Sequence, residues 1–232
     1  MNAEQLSCCC CGSQKFQEHE ILWKELVDEW RLSPYEIDYI NRQQGLSCLN
    51  CGANLRSIAL ALAFMKVLNF EGLFLDFVKN GSTRHLKVLE INEAGSLTPW
   101  LAQMPGHKLI KYPDYNMMTL PFEAATFDIV IHSDTLEHVE HPTRALSECR
   151  RVLKPKAGFC LFTVPIVVDR LTISRTGFPP SYHGRETTQP KDYLVLTEYG
   201  CDAWRQVILA GFSECRIISI EFPAAQALVG VN

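Results

Sequence analysis

At 232 residues, with 47% hydrophobic and 21% charged residues and a formal net charge of −4, the chain has the composition of a globular protein able to bury a sizeable core. No block of like charge is long enough to act as a nucleic-acid-binding tail, and no apolar run approaches the ~20 residues that span a bilayer. The first residues, Met-Asn-Ala-Glu-Gln, lack the basic and then apolar pattern of an export signal. These features lead us to expect a cytoplasmic protein with no membrane partner.

Of the ten cysteines, Cys8, Cys9, Cys10, Cys11, Cys48 and Cys51 fall in two tight clusters, a distribution that suits a metal better than a disulfide framework. Cys8 and Cys11 are spaced C-x-x-C and followed by Gly12; Cys48 and Cys51 repeat the spacing before Gly52. Two such knuckles supply four thiolates, the closed tetrahedral set of structural zinc. Cys9 or Cys10 could replace a neighbour as ligand, but Cys8 and Cys11 preserve the glycine-terminated spacing. Between the knuckles, Ile21, Leu22, Leu26 and Trp30 recur at helical spacing, and Ser33-Pro34-Tyr35-Glu36 reads as the capping box of a second helix. Trp23 and Trp30 are expected to pack between this helical pair and the rest of the chain. Residues 1–54 therefore read as a four-cysteine zinc module with a helical insertion.

Leu55 to Phe70 has no helix breaker and is apolar almost all round, which predicts a largely buried helix leading directly into a second unit, residues 55–232. Lys87 to Asn92 predicts a strand followed by a tight turn at Ala94-Gly95-Ser96. Phe127 to His132 predicts a second strand, Pro142 to Leu153 an amphipathic helix, and Phe159 to Val164 a third strand. Alternation of this kind implies an α/β, Rossmann-like, mostly parallel sheet with helices on both faces. Ligands bind such a sheet beyond the C-terminal ends of its strands. Glu90 to Ser96, His132 to Glu137 and Thr163 to Pro165 lie there.

The run Leu120-Pro121-Phe122, Thr126-Phe127-Asp128-Ile129-Val130, Ser133-Asp134-Thr135-Leu136-Glu137-His138-Val139, Ala145-Leu146 with Glu148, Arg151-Val152-Leu153-Lys154-Pro155 and Phe162-Thr163-Val164-Pro165 resembles the type-11 family of class I S-adenosylmethionine-dependent methyltransferases. Ser181-Tyr182-His183-Gly184, Leu194 to Gly200 and Ala210-Gly211-Phe212 resemble a zinc-bearing bacterial branch of it. The resemblance implies S-adenosylmethionine as cofactor, near Glu90, Asn92, Ala94, Gly95, Asn116, Met117 and Ser133. Two departures stand out. The family's glycine-rich E-x-G-x-G-x-G turn reads Glu90-Ile91-Asn92-Glu93-Ala94-Gly95-Ser96, so that Asn92 requires a changed loop path. The span from Glu90 to Leu120 has room for only one helix and one short strand, so a strand and a helix of the usual fold are shortened or missing.

For the chemistry, Asp134 stands where it either caps a helix or touches the acceptor. Glu137 and His138 read as structural members of the same turn. A long Gly/Pro-rich stretch after the third strand carries Arg170, Arg175 and Arg185, whose guanidinium forks suit an anionic acceptor. It also carries Tyr182 and His183, the latter read as a general base. The leading expectation is a methyltransferase for a small, anionic or sugar-like acceptor. One alternative is a noncatalytic zinc-stabilised scaffold on a degenerate methyltransferase fold. The other is an RNA methyltransferase that docks through the zinc module, against which the acidic charge and the lack of a basic aromatic stripe argue. Nothing in the sequence specifies an oligomer.

Overall fold

The computed structural model describes residues 6–182, 193–221 and 225–232. The first strands, β1 (Phe16–Gln17) and β2 (Ser47–Cys48), pair antiparallel and close the insertion into a loop on a two-stranded base. Within it, α1 spans Lys24–Trp30 and α2 Pro34–Gly45. The capping box is present: the Ser33 hydroxyl accepts from Glu36 N, and Glu36 Oε2 accepts from Ser33 N at 2.7 Å. Helix α1 is shorter than its apolar spacing predicts. Ile21 and Leu22 precede it, their backbone N–H groups bonded to the Asn41 side chain of α2.

Helix α3 (Leu55–Val67) is capped by the Asn54 side chain, which accepts from Ser57 N. It lies on the central sheet, whose strand order is β10-β11-β6-β5-β3-β4. Strands β3 (Val88–Ile91), β4 (His107–Ile110), β5 (Ile129–Ser133) and β6 (Phe159–Thr163) run parallel, and a C-terminal hairpin, β10 (Glu214–Ile220) with β11 (Ala225–Val231), adds its second strand antiparallel to β6. The sheet is thus the expected mostly parallel, Rossmann-like one. Between β3 and β4 lie only a 3-10 turn (Gly95–Leu97) and the short α5 (Thr98–Leu101), and among the described residues no strand lies outside β4.

Alternating strand residues feed two cores. Val88, Ile129, Ile131 and Leu161 pack with α3 and with α4 (Phe74–Lys79). Leu89, Ile91, Val130 and Phe162 pack with α6 (Pro142–Val152) and α7 (Trp204–Leu209). A third cluster joins the insertion to a small sheet ordered β7-β9-β8, made of Ile166–Val167, Thr197–Gly200 and Ile173–Ser174. It contains Leu26, Trp30, Leu32, Tyr39 and Ile40 from the insertion, with Val167 and Val195 opposite. Tyr39 Oη accepts from Val168 N at 3.1 Å. The insertion is therefore seated over the C-terminal ends of the parallel strands, where ligands bind.

Candidate active site

The four knuckle thiols converge: the Sγ atoms of Cys8, Cys11, Cys48 and Cys51 all lie within 4.8 Å of one another, with 3.6 Å between Cys8 and Cys51 and between Cys11 and Cys48. Four sulfurs about 2.3 Å from a tetrahedral ion stand roughly 3.8 Å apart, so the donor set fits zinc. Gly12 and Gly52, at φ +78° and +74°, make the two turns. Cys9 points elsewhere, its Sγ 3.4 Å from the Ile58 carbonyl oxygen, as the glycine-terminated spacing implied. The module also touches the turn after β3, for Ser96 Oγ donates to the Gly52 carbonyl and Ser57 Oγ accepts from Ser96 N.

That turn is stitched throughout. Glu90 is fully buried, and its Oε1 accepts from Ala94 N at 2.7 Å and from the Thr98 hydroxyl, while its Oε2 lies 2.6 Å from His107 Nε2. Asn92 adopts φ +61°, in the left-handed region that asparagine tolerates best among residues with a Cβ. It thus takes a glycine-like conformation, and its Oδ1 accepts from Tyr112 N. Gly95, at φ +59°, is required by α3: a Cβ there would stand 2.7 Å from Ser57 Oγ. Asn116 is exposed, its Oδ1 accepting from Met118 N, and the Met117 side chain is in the core. The Ser133 hydroxyl shares a 2.7 Å hydrogen bond with that of Thr163.

The loop after β5 is different. Asp134 sits at φ +47°, and its Oδ1 is in ion-pair contact, at 2.6 Å, with Nη1 of Arg56 from the buried first turn of α3. Arg56 Nε has no hydrogen-bond partner among the described residues, and neither oxygen of the fully buried Glu137 has one. Burial pushes the Glu137 carboxyl well above its ordinary range, and the neighbouring Asp134 adds to the shift. Burial also raises Asp134, opposed by Arg56. His138 Nδ1 lies 2.9 Å from the Leu194 carbonyl oxygen, and its Nε2 is 3.7 Å from Glu137 Oε1. His132, one turn earlier, faces the α6 core instead. Stacked on Phe162, it is held neutral by burial, its pKa lowered to about 3.

Arg56, Asp134, Glu137 and His138 form one end of a cavity of about 310 Å³ whose walls are apolar and aromatic. Leu22, Trp23, Leu26 and Trp30 of the insertion form its roof, and Pro165, Val167 and Tyr193 its floor and rim. Trp30 is also the packing residue expected, its Nε1 donating to Ser181 Oγ at 2.9 Å. Of the expected acceptor-side residues that are described, Asp134 alone lines this cavity. Tyr182 is exposed and its backbone bridges Leu194. His183 and Arg185 lie outside the described residues.

Arg170 and Arg175 do not line this cavity. Arg170 grips Glu36 in α2, with Nε to Oε1 at 2.6 Å, and donates to the carbonyls of Trp30 and Arg31 at the end of α1. Arg175 is ion-paired with Glu198 and with Glu29, 3.1 Å away, and donates to the Pro179 carbonyl. Both guanidinium groups take part in fastening the roof to the small sheet, and Arg175 Nε has no hydrogen-bond partner among the described residues. Sequence reading missed Arg56, which looked like one more residue of a buried helix, and took Glu137 for a structural residue of its turn.

Residues 83–161 match the family model described as "Methyltransferase domain". A glycine/sarcosine/dimethylglycine N-methyltransferase of Actinopolyspora halophila is 32% identical over 106 residues, covering 39% of this chain and only 19% of that protein. Among solved structures, a SAM-dependent methyltransferase of Thermotoga maritima is 17% identical, with a TM-score of 0.40, over 76% of this chain and 96% of that one. The 1,6-didemethyltoxoflavin-N1-methyltransferase of Burkholderia thailandensis, solved with 1,6-didemethyltoxoflavin and S-adenosylhomocysteine, is 13% identical with a TM-score of 0.41, over 75% and 76% of the two chains. Among the described residues no helix is long and apolar enough to cross a membrane.

Proposed function

We propose that this chain, of which residues 83–161 match a family model described as "Methyltransferase domain", transfers a methyl group from S-adenosylmethionine to a small molecule held in the cavity between the parallel strands and the cysteine module's insertion. The observation that carries this reading is the convergence of unpartnered polar atoms, Arg56 Nε and both Glu137 oxygens, at the inner end of an otherwise apolar cavity beyond β5. A buried polar atom without a partner is costly, and a ligand that supplies one repays the cost. The stitched turn of Glu90, Asn92, Ala94 and Gly95, with Ser133 beside it and Asn116 and Met117 farther along the chain, is the proposed cofactor side. Residues 1–54 act as a zinc module whose insertion roofs the acceptor, and residues 55–232 as the methyltransferase unit.

Isothermal calorimetry with S-adenosylhomocysteine tests the reading. Saturable heat is expected, and no heat at millimolar ligand would favour the scaffold alternative. Zinc is tested separately by elemental analysis of chelator-free protein, with one equivalent expected and less than about half an equivalent counting against the four-thiolate site. The sequence-based assignment of His183 as general base stands or falls with the turnover of His183→Ala.

A further inference from the structure

The cavity is carbon on most sides and charge at one end, and that polarity restricts what can enter it. We propose that it takes an acceptor with a flat apolar body carrying one neutral N–H or O–H group, the atom to be methylated, and that Glu137 accepts the hydrogen bond and then the proton of that group. The inference deepens the methyltransferase reading above and rests on it.

The walls come first. Trp23, Leu26, Trp30, Leu32, Val167 and Tyr193 offer indole, phenol and aliphatic surface, which rewards burial of an apolar body and leaves the hydroxyls of a polyol facing carbon. The polar end decides the head group. Two carboxyls, Asp134 and Glu137, face one guanidinium that already contacts Asp134, so an anionic head meets an acidic pocket. Both oxygens of Glu137 are buried acceptors without a donor among the described residues, so a donor head satisfies what the protein leaves unsatisfied.

The chain can also move the proton. When bound, the cofactor supplies an activated methyl group: a bond forms from the acceptor N or O to the methyl carbon as the carbon–sulfur bond breaks, its electron pair leaving on sulfur. The acceptor's proton passes to an oxygen of the Glu137 carboxylate, whose lost negative charge balances the positive charge lost from sulfur. Burial raises the proton affinity of Glu137, which brings a carboxylate closer to the strength of base useful near neutrality. His138 is a second station: its Nδ1 faces the Leu194 carbonyl, which can only accept, so Nδ1 carries a hydrogen while Nε2 stands 3.7 Å from Glu137.

The test titrates the full chain, loaded with S-adenosylhomocysteine, against four matched probes by calorimetry: 4-ethylphenol, 4-ethylaniline, 4-ethylbenzoate and ethylbenzene. We expect the phenol or the aniline to bind at least tenfold more tightly than both the benzoate and the headless hydrocarbon, the better of the two assigning oxygen or nitrogen as the methylated atom. In Glu137→Leu, checked for folding by circular dichroism and thermal unfolding, that preference should fall to less than threefold. Glu137→Gln, which retains an acceptor oxygen but no base, should keep most of the preference and lose methyl transfer at least a hundredfold. Tighter binding of the benzoate, equal binding of all four probes, no binding of any, or an unchanged preference in Glu137→Leu overturns the proposal while S-adenosylhomocysteine heat persists. Loss of that heat in the wild-type chain instead removes the methyltransferase reading beneath it.

Discussion

The turns that leave β3 and β5 at the same end of the sheet each carry a fully buried glutamate, and they treat it in opposite ways. Glu90 is enclosed by Ala94 N, the Thr98 hydroxyl and His107, so each of its oxygens is occupied. Glu137 has no hydrogen-bond partner for either oxygen among the described residues, and its neighbour Asp134 holds a left-handed backbone conformation beside a half-partnered Arg56. A buried carboxyl that is fully bonded builds a fold. One left unbonded costs stability and persists where something else repays it, which is why the Glu90 carboxyl reads as holding its turn in shape and the Glu137 carboxyl as facing a ligand.

Four substitutions would break or sharpen that contrast. The largest effect is expected at Glu90: Glu90→Ala strands two donors and the His107 ring, and should lower the free energy of unfolding by about 3–5 kcal/mol in urea titrations. A loss below about 1 kcal/mol would dissolve the distinction between the two turns. Next is His132, also on β5 but facing the opposite core. Its pKa is depressed from an ordinary 6.5 to about 3 by burial, so its contribution is intact above pH ~6.5 and drains away as pH falls toward 3. At 1.36 kcal/mol per pH unit the wild-type chain should lose about 3 kcal/mol more than His132→Phe between pH 7 and pH 4. Parallel acid limbs for the two proteins would contradict this assignment.

Glu137→Gln should act in the other direction from Glu90→Ala. Because burial raises its pKa in the fold, the carboxyl weighs against stability increasingly as pH rises above its ordinary 4.5. The variant should therefore unfold at higher temperature than wild type at pH 7.5, by the equivalent of about 2 kcal/mol, and show no such gain at pH 4. The smallest effect is expected at Glu93, a non-glycine residue held at φ +131° within the stitched turn. Glu93→Gly should stabilise by about 1 kcal/mol, the loss of its exposed ion pair with Lys111 offsetting little. A destabilised variant would mean that the glutamate side chain itself holds the turn.

The parts of this molecule that could be read from sequence are those whose partners lie close along the chain or repeat a strict spacing. The two cysteine knuckles, the capping box at Ser33 and Glu36 and the helix starting at Leu55 are of this kind. Arg170 and Arg175 read as anion ligands from sequence; of the carboxylates that engage them, Glu36 and Glu29 stand more than a hundred residues away in a helical pair whose resting place no local pattern gives, and Glu198 lies across the small sheet. Arg56 was hidden by its apolar neighbours, and Glu137 by a turn motif in which an acidic residue needs no special reason. Whether a buried carboxyl has partners depends on every element that packs around it, and the cavity itself exists only once the insertion is laid over the sheet.

The pairing of β1 with β2 has a consequence of another kind. It fixes the two ends of residues 18–46 side by side at the thiol cluster, so the roof is a closed excursion from one anchored base. Its length and lining can drift or be exchanged while the register of the six-stranded sheet stays as it is. Under the proposed reading, the stretch that covers the acceptor's apolar body is separate in sequence from the loop that meets its head group, and a library confined to the roof would vary the first while leaving the second in place.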